Sequence, residues 1–169
     1  RVGLLQRVRD ARAQVTSYTF DEVGNRLSQT DANNHTTTFE YDRLGRRVRR
    51  TLPEGMAESY TYDAAGSMTN RTDFLGKTTV YAYDAMRRLL SKTPDPSLNQ
   101  PSVNYTYTST GRRASMADVS GTSNYTYDSR DRLTVKATPR GTLNYTYDTA
   151  GNLLGMQSSN SNGVSVDYA

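Results

Sequence analysis

Aromatic and small or β-branched residues alternate in short bursts along the chain, as in Tyr60-Thr61-Tyr62, Tyr81-Ala82-Tyr83, Tyr125-Thr126-Tyr127 and Tyr145-Thr146-Tyr147. Period-two alternation predicts a half-buried strand, with both rings on one face and the middle residue on the other. Anchored on the first aromatic, the bursts begin at Tyr18, Phe39, Tyr60, Tyr81, Tyr105, Tyr125 and Tyr145, at intervals of 21, 21, 21, 24, 20 and 20 residues. The second aromatics are Phe20, Tyr41, Tyr62, Tyr83, Tyr107, Tyr127 and Tyr147. Asp follows at once in six units, as Asp21, Asp42, Asp63, Asp84, Asp128 and Asp148, and Thr108 stands in the seventh. Gly comes three residues later at Gly24, Gly45, Gly66, Gly111 and Gly151, with Arg87 and Asp131 in the other two places. An apolar residue follows at Leu27, Val48, Met68, Leu89, Leu133 and Leu153, and the weakest match is Ala114.

Each unit therefore predicts a hairpin. Asp suits the first position of a type I turn, because its carboxylate accepts from backbone N–H groups just ahead; Gly suits the position needing positive φ. A second turn at Leu52–Gly55, Asp73–Gly76, Asp118–Gly121 or Thr138–Gly141 returns the chain to the next burst. Two antiparallel strands per unit give about sixteen in all. Open twisted sheets seldom pass about ten strands without curling or closing, so the fold class expected is all-β, a curled or spiralling sheet of hairpin repeats forming a tube or hollow shell wall. The domain expected is one array over 1–169, with partial repeats at both ends and a linker over 94–101. Val166-Asp167-Tyr168 starts an eighth unit. Counted by phase, Val166–Ala169 joined to Arg1–Leu4 would complete a repeat, so the chain reads as a segment of a longer array or one period of it. Exposed strand edges then predict self-association, end to end into filaments.

Composition changes this picture little. Leu, Ile, Val and Phe number 27 of 169 residues and Ile is absent, too few for an ordinary aliphatic core. Net charge is only +4 and there are 13 Tyr, which argues against disorder. The seven units hold 14 of the 16 aromatics, so the Tyr ladder takes the place of that core, with the Tyr face expected inward. Absence of Cys excludes disulfides and thiolate chemistry, and no stretch is long and apolar enough to span a membrane.

The runs Tyr145-Thr146-Tyr147-Asp148-Thr149-Ala150-Gly151-Asn152-Leu153, Tyr60–Gly66 and the linking Thr72–Thr79 resemble the YD-repeat, or RHS-repeat, family, and the resemblance covers essentially the whole chain. It implies a long sheet strip spiralling into a hollow shell, as in bacterial insecticidal toxin complexes and RHS toxins that enclose a toxin cargo, or a teneurin-like extracellular barrel. It also implies a secreted or cell-surface location. The family's Asp-Pro-x-Gly core region has no match: Asp95-Pro96 lacks the Gly and sits in the linker Pro94–Pro101, which reads as an insertion.

Candidate chemistry is thin. His35, the one His, lies in a turn beside Asn33 and Asn34, without partners for metal or for a nucleophilic triad. Regularly spaced Asp residues read as turn formers. A reaction centre would need clustered titratable residues off the repeat register, and only Glu54, Glu58 and His35 loosely meet that condition. No cofactor, metal site or enzymatic activity is expected. Arg43, Arg46, Arg47, Arg49 and Arg50 form the densest basic cluster, with Arg7, Arg9 and Arg12 another; strict alternation puts Arg47 and Arg49 on one face and Arg46 and Arg50 on the other. The clusters read as solvated surface, nucleic acid being an unlikely partner. Asn-x-Thr at Asn34, Asn70, Asn104, Asn124 and Asn144 would be glycan acceptors only in a eukaryotic secreted protein. The function expected is a structural wall segment; the alternative is a cell-surface adhesion or glycan-binding module using the Tyr and Arg faces.

Overall fold

The computed structural model describes residues 3–161, 163 and 165–168. It is all-β: sixteen antiparallel strands in one sheet, each beside its sequence neighbours, in the order β1 to β16. The chain divides into two compact units, Arg1–Val80 and Tyr81–Ala169.

The first unit contains β1 (Arg7–Arg9), β2 (Val15–Phe20), β3 (Arg26–Thr30), β4 (Thr36–Tyr41), β5 (Arg47–Thr51), β6 (Ala57–Tyr62), β7 (Met68–Thr72) and the start of β8 (Thr78–Tyr83). The second contains the rest of β8, then β9 (Leu89–Thr93), β10 (Val103–Tyr107), β11 (Arg113–Asp118), β12 (Gly121–Tyr127), β13 (Leu133–Thr138), β14 (Gly141–Tyr147), β15 (Leu153–Ser158) and β16 (Ser165–Asp167). The segment 94–101 is a loop carrying a single 3-10 turn at Pro96–Leu98, capped by Asp95.

The Asp turns close as three-residue loops. Asp21 N–H donates to the Asn25 carbonyl and Gly24 N–H to the Asp21 carbonyl. The Asp21 carboxylate accepts from Val23 N at 3.0 Å and Asn25 N at 2.8 Å. Asp42, Asp84 and Asp128 repeat this arrangement. Thr108 keeps the same turn with its hydroxyl, which accepts from Arg112 N at 3.0 Å. The left-handed position is also kept where Gly is not: Arg87 has φ 61° and Asp131 has φ 60°.

The return turns explain the change in repeat length. In the first unit they are three-residue loops, such as Asp31 N–H to the His35 carbonyl outside the Thr30–Thr36 pair. In the second unit, Asp118 pairs directly with Gly121 and Thr138 with Gly141, leaving two-residue loops. One residue fewer per turn turns the interval of 21 into 20.

Period-two reading missed one feature. The hairpins β2–β3, β4–β5, β6–β7, β10–β11, β12–β13 and β14–β15 each carry a β-bulge at the second aromatic, for example between Thr19 and Phe20 and between Glu40 and Tyr41. The bulge corrects the face assignment of the arginines. Tyr41 pairs with Arg47 and Phe39 with Arg50, so Arg47 and Arg50 share the aromatic face while Arg49, opposite Glu40, lies on the other. Strict alternation failed because Val48 is the extra residue of the bulge.

Candidate functional site

The middle residue of every burst (Thr19, Glu40, Thr61, Ala82, Thr106, Thr126, Thr146) is exposed, and all fourteen flanking aromatics are half-buried or buried. The rings of each burst thus share the covered face. Coverage is shallow. Phe39, 5% exposed, is the only buried large hydrophobic among the described residues.

Arginine supplies the cover. Arg26 lies 4.4 Å from the Phe39 ring centroid, Arg47 lies 5.1 Å from Tyr60, and Arg113 lies 5.1 Å from Tyr105. Nine such pairings occur among the described residues. Proteins ordinarily show about one per 70–80 residues, so cation–π stacking is a building principle of this face. A weakly hydrated planar guanidinium can lie flat on a ring and still reach carbonyls or solvent at its edge.

Two contacts tie successive repeats together. The first comes from the second Tyr of the burst. Tyr41 donates to the Arg26 carbonyl at 3.0 Å, Tyr62 to Arg47 at 2.8 Å, Tyr107 to Leu89 at 2.8 Å, Tyr127 to Arg113 at 2.9 Å and Tyr147 to Leu133 at 2.9 Å. Arg26, Arg47, Arg113 and Leu133 are each paired with the second aromatic of the preceding repeat, at its bulge. The bulge opens a carbonyl, and the next repeat's phenol fills it.

The second contact comes from the residue four places past the turn Asp, of which the sequence reading named Arg46, as part of a basic cluster, and not Arg88 or Arg132. Arg46, Arg88 and Arg132 each donate through Nε to the Asp of their own turn, at 2.6, 2.7 and 2.7 Å. Their Nη1 atoms reach the turn of the following repeat, at the carbonyls of Asp63 (3.0 Å), Thr108 (3.4 Å) and Asp148 (2.9 Å). The same guanidiniums cover Tyr62, Tyr107 and Tyr147 at 4.7–4.8 Å. An Arg four residues after the turn Asp was the available signal.

Glu58 is the buried charge, 2% exposed on β6. Its carboxylate lies 3.0 Å from Arg50 Nε and 3.0 Å from Arg71 Nη2, and Tyr60 also hydrogen-bonds to it. Arg50 Nε faces Glu58 off the line a hydrogen bond needs, so this contact is an ion pair without directional bonding. Burial alone would raise the Glu58 pKa; the bonds from Tyr60 and Arg71 and the two arginine charges outweigh it and hold the carboxyl below its usual range. Burial, then the bond to Glu58, raises the Tyr60 phenol. The turn carboxylates are lowered as well, by the Arg46, Arg88 and Arg132 backbone N–H groups at Asp42, Asp84 and Asp128, and by the Asn25 and Asn152 side chains at Asp21 and Asp148.

The remaining titratable candidates do not converge. His35 is exposed and meets Asp31 at 3.2 Å. Glu54 lines a shallow cleft of about 360 Å³ with His35 and Asp31. Among the described residues no cluster of three or more His, Cys, Asp or Glu could hold a metal, and no helix is long and apolar enough to cross a membrane.

The RHS Repeat family model matches residues 1–36, 20–55 and 41–78. Solved structures extend the likeness. The Tc holotoxin pore of Photorhabdus luminescens with TccC3-D651A aligns at TM-score 0.77 and 25% identity, over 91% of this chain and 9% of that one. TcdB2-TccC3 aligns at TM-score 0.78 and 25% identity, over 91% of this chain and 10% of that one. TcdB2-TccC3-Cdc42 aligns at TM-score 0.79 and 24% identity with the same coverage. This chain thus spans about a tenth of each of these relatives. Among curated proteins none matches.

Proposed function

We propose that this array of RHS repeats is a non-enzymatic wall segment of a secreted or surface-exposed bacterial protein, curling to enclose a toxin cargo or to form an extracellular tube. The observation that carries the reading is the repeat-to-repeat stapling. Tyr hydroxyls and Arg guanidiniums link each repeat to its neighbour, and this suits a stiff wall whose stability is nearest-neighbour in character. The likeness to TcdB2-TccC3 supports the toxin setting. Residues 1–169 act as a single array in this reading, and the Tyr and Asp/Gly positions are its structural ladder and turns. As the outermost strands of the order, β1 and β16 are paired along one side, and such edges accept further strands, which extends the wall or joins chains end to end.

Negative-stain microscopy with light scattering tests this. Compact hollow particles support a shell, and tubes of constant diameter support a filament. A globular monomer that binds glycans through its Tyr rings would overturn both and establish adhesion instead.

A further inference from the structure

We infer that the face opposite the tyrosines, across β10 to β15, is a self-docking surface whose partner is the same face of a second copy of this chain. Register places Asn104 and Thr106 of β10, Thr122, Asn124 and Thr126 of β12, and Asn144 and Thr146 of β14 on this face. All seven are exposed. Between them the same face carries Ser115 and Ala117 of β11 and Val135 and Ala137 of β13, all half-buried, and then the buried Gly155 of β15. Tall polar strands thus alternate with low ones from β10 to β14, and β15 adds the exposed Gln157 opposite Asn144 beside its low Gly155.

Strands lie about 4.8 Å apart, so the ridges repeat at about 10 Å with small-residue grooves between. A ridge pattern of that period matches an object of the same period, which another array of this repeat supplies. A single glycan or extended peptide would fill one groove and leave the others empty. Gly155 shows how tightly a groove floor is drawn: a Cβ there would sit 3.2 Å from both Thr146 Oγ1 and Asp167 Oδ1.

Charge selects the same partner. No Asp, Glu, Lys or Arg occupies this face from β10 to β15, although charged residues make up 22% of the chain, and Asp167 of β16, opposite Gly155, marks its border. Lys136 and Arg113 pair with Tyr125 and Tyr107 on the other face. With net charge +4, two copies repel through most of their surface and can meet here without burying like charges. Sheets that stack keep their strands within about 30° of each other, and Asn amides and Thr hydroxyls can bond across the seam. Fourteen positions on this face, at about 33 Å² of sheet each, offer about 450 Å² per copy, so about 900 Å² in total, in the range of weak, reversible contacts.

Sedimentation velocity over a concentration series tests the inference on the whole chain. The expected result is a concentration-dependent dimer that changes little with salt. Asn124→Lys/Asn144→Lys should weaken it at least tenfold with an unchanged thermal midpoint, and mixing that variant with Asn124→Asp/Asn144→Asp should restore association. Arg7→Pro, which removes an outward N–H of the β1 edge, should leave the dimer intact. A wild-type monomer at every concentration would overturn the inference, as would a dimer indifferent to the Lys pair or abolished by Arg7→Pro. The last result would instead assign association to strand edges, leaving the wall reading in place.

Discussion

At the scale of single residues, the second aromatic of each burst does a job its ring alone could not. Tyr62 and Tyr147 donate to carbonyls of the preceding repeat at 2.8 and 2.9 Å. Phe at either site keeps the ring and the guanidinium stacked on it, and removes only the hydroxyl. Tyr62→Phe should therefore cost about 1 kcal/mol, the typical net worth of one such bond, seen as a lower urea midpoint with an unchanged slope. No change in midpoint would mean that water satisfies the carbonyl equally well. A second residue-level prediction concerns the two turns without glycine. Arg87 is held at φ 61°, a conformation that costs an L-residue about 1 kcal/mol or more. Arg87→Gly should stabilise the chain by about that amount. Asp131 sits at φ 60° too, yet its carboxylate accepts from Thr110 Oγ1 at 2.7 Å and faces Arg112. Asp131→Gly should gain less, and a larger gain there than at Arg87 would refute the strain argument.

At the scale of the element, hairpins, turns and their count were legible in the sequence, and the bulges were not. Alternation of Tyr and Thr reports which face each strand buries, and Asp-x-x-Gly reports where it turns. A bulge adds one residue without any special residue type: Leu27, Val48 and Thr69 occupy the extra position in three successive hairpins. The tie from Arg46 to the Asp63 carbonyl spans 17 residues between successive turns, so it too escaped a period-two reading. Glu58 shows the same limit. Its neighbours Arg50 and Arg71 come from flanking strands, and no local pattern announces them. Glu58→Gln removes the charge that both arginines face; because they are 34% and 46% exposed and can rehydrate, the loss should be about 1–3 kcal/mol. Linkage gives a companion prediction. Glu58 and the turn carboxylates Asp21, Asp42, Asp84, Asp128 and Asp148 all titrate lower in the fold than their ordinary values of 4.5 and 3.8. On acidification the unfolded chain takes up these protons first. Their contribution is whole above those ordinary values and is lost as pH falls through the depressed folded ones. Urea midpoints should hold from pH 7 to about 5 and drop steeply below about 4, and a midpoint still level at pH 3 would contradict the turn geometry.

At the scale of the whole molecule, the absence of a conventional core among the described residues shapes what the array can tolerate. Each strand touches only its sequence neighbours in the sheet order, and the stapling contacts reach one repeat ahead. Stability then approximates a sum of repeat terms and nearest-neighbour terms, with no element whose removal empties a shared interior. Excising residues 39–59 removes one interval of 21 and joins Thr38 directly to Tyr60, which takes the place of Phe39 as the fourth residue of an equivalent strand. Direction, face and turn phase are all kept, so the shortened chain should fold into the same sheet with two fewer strands and a urea slope lower in proportion to the surface lost. Excising only 39–49 joins Thr38 to Arg50 after a single hairpin arm. Later hairpins still pair antiparallel among themselves, but past the junction the Asp turns and return turns change sides of the sheet, so the Tyr and Arg ties across the junction are lost and unfolding should split into two transitions. Circular dichroism and urea titration of the two deletions separate the cases. Equal disruption by both would mean that a distributed core, absent from the described contacts, holds the repeats together.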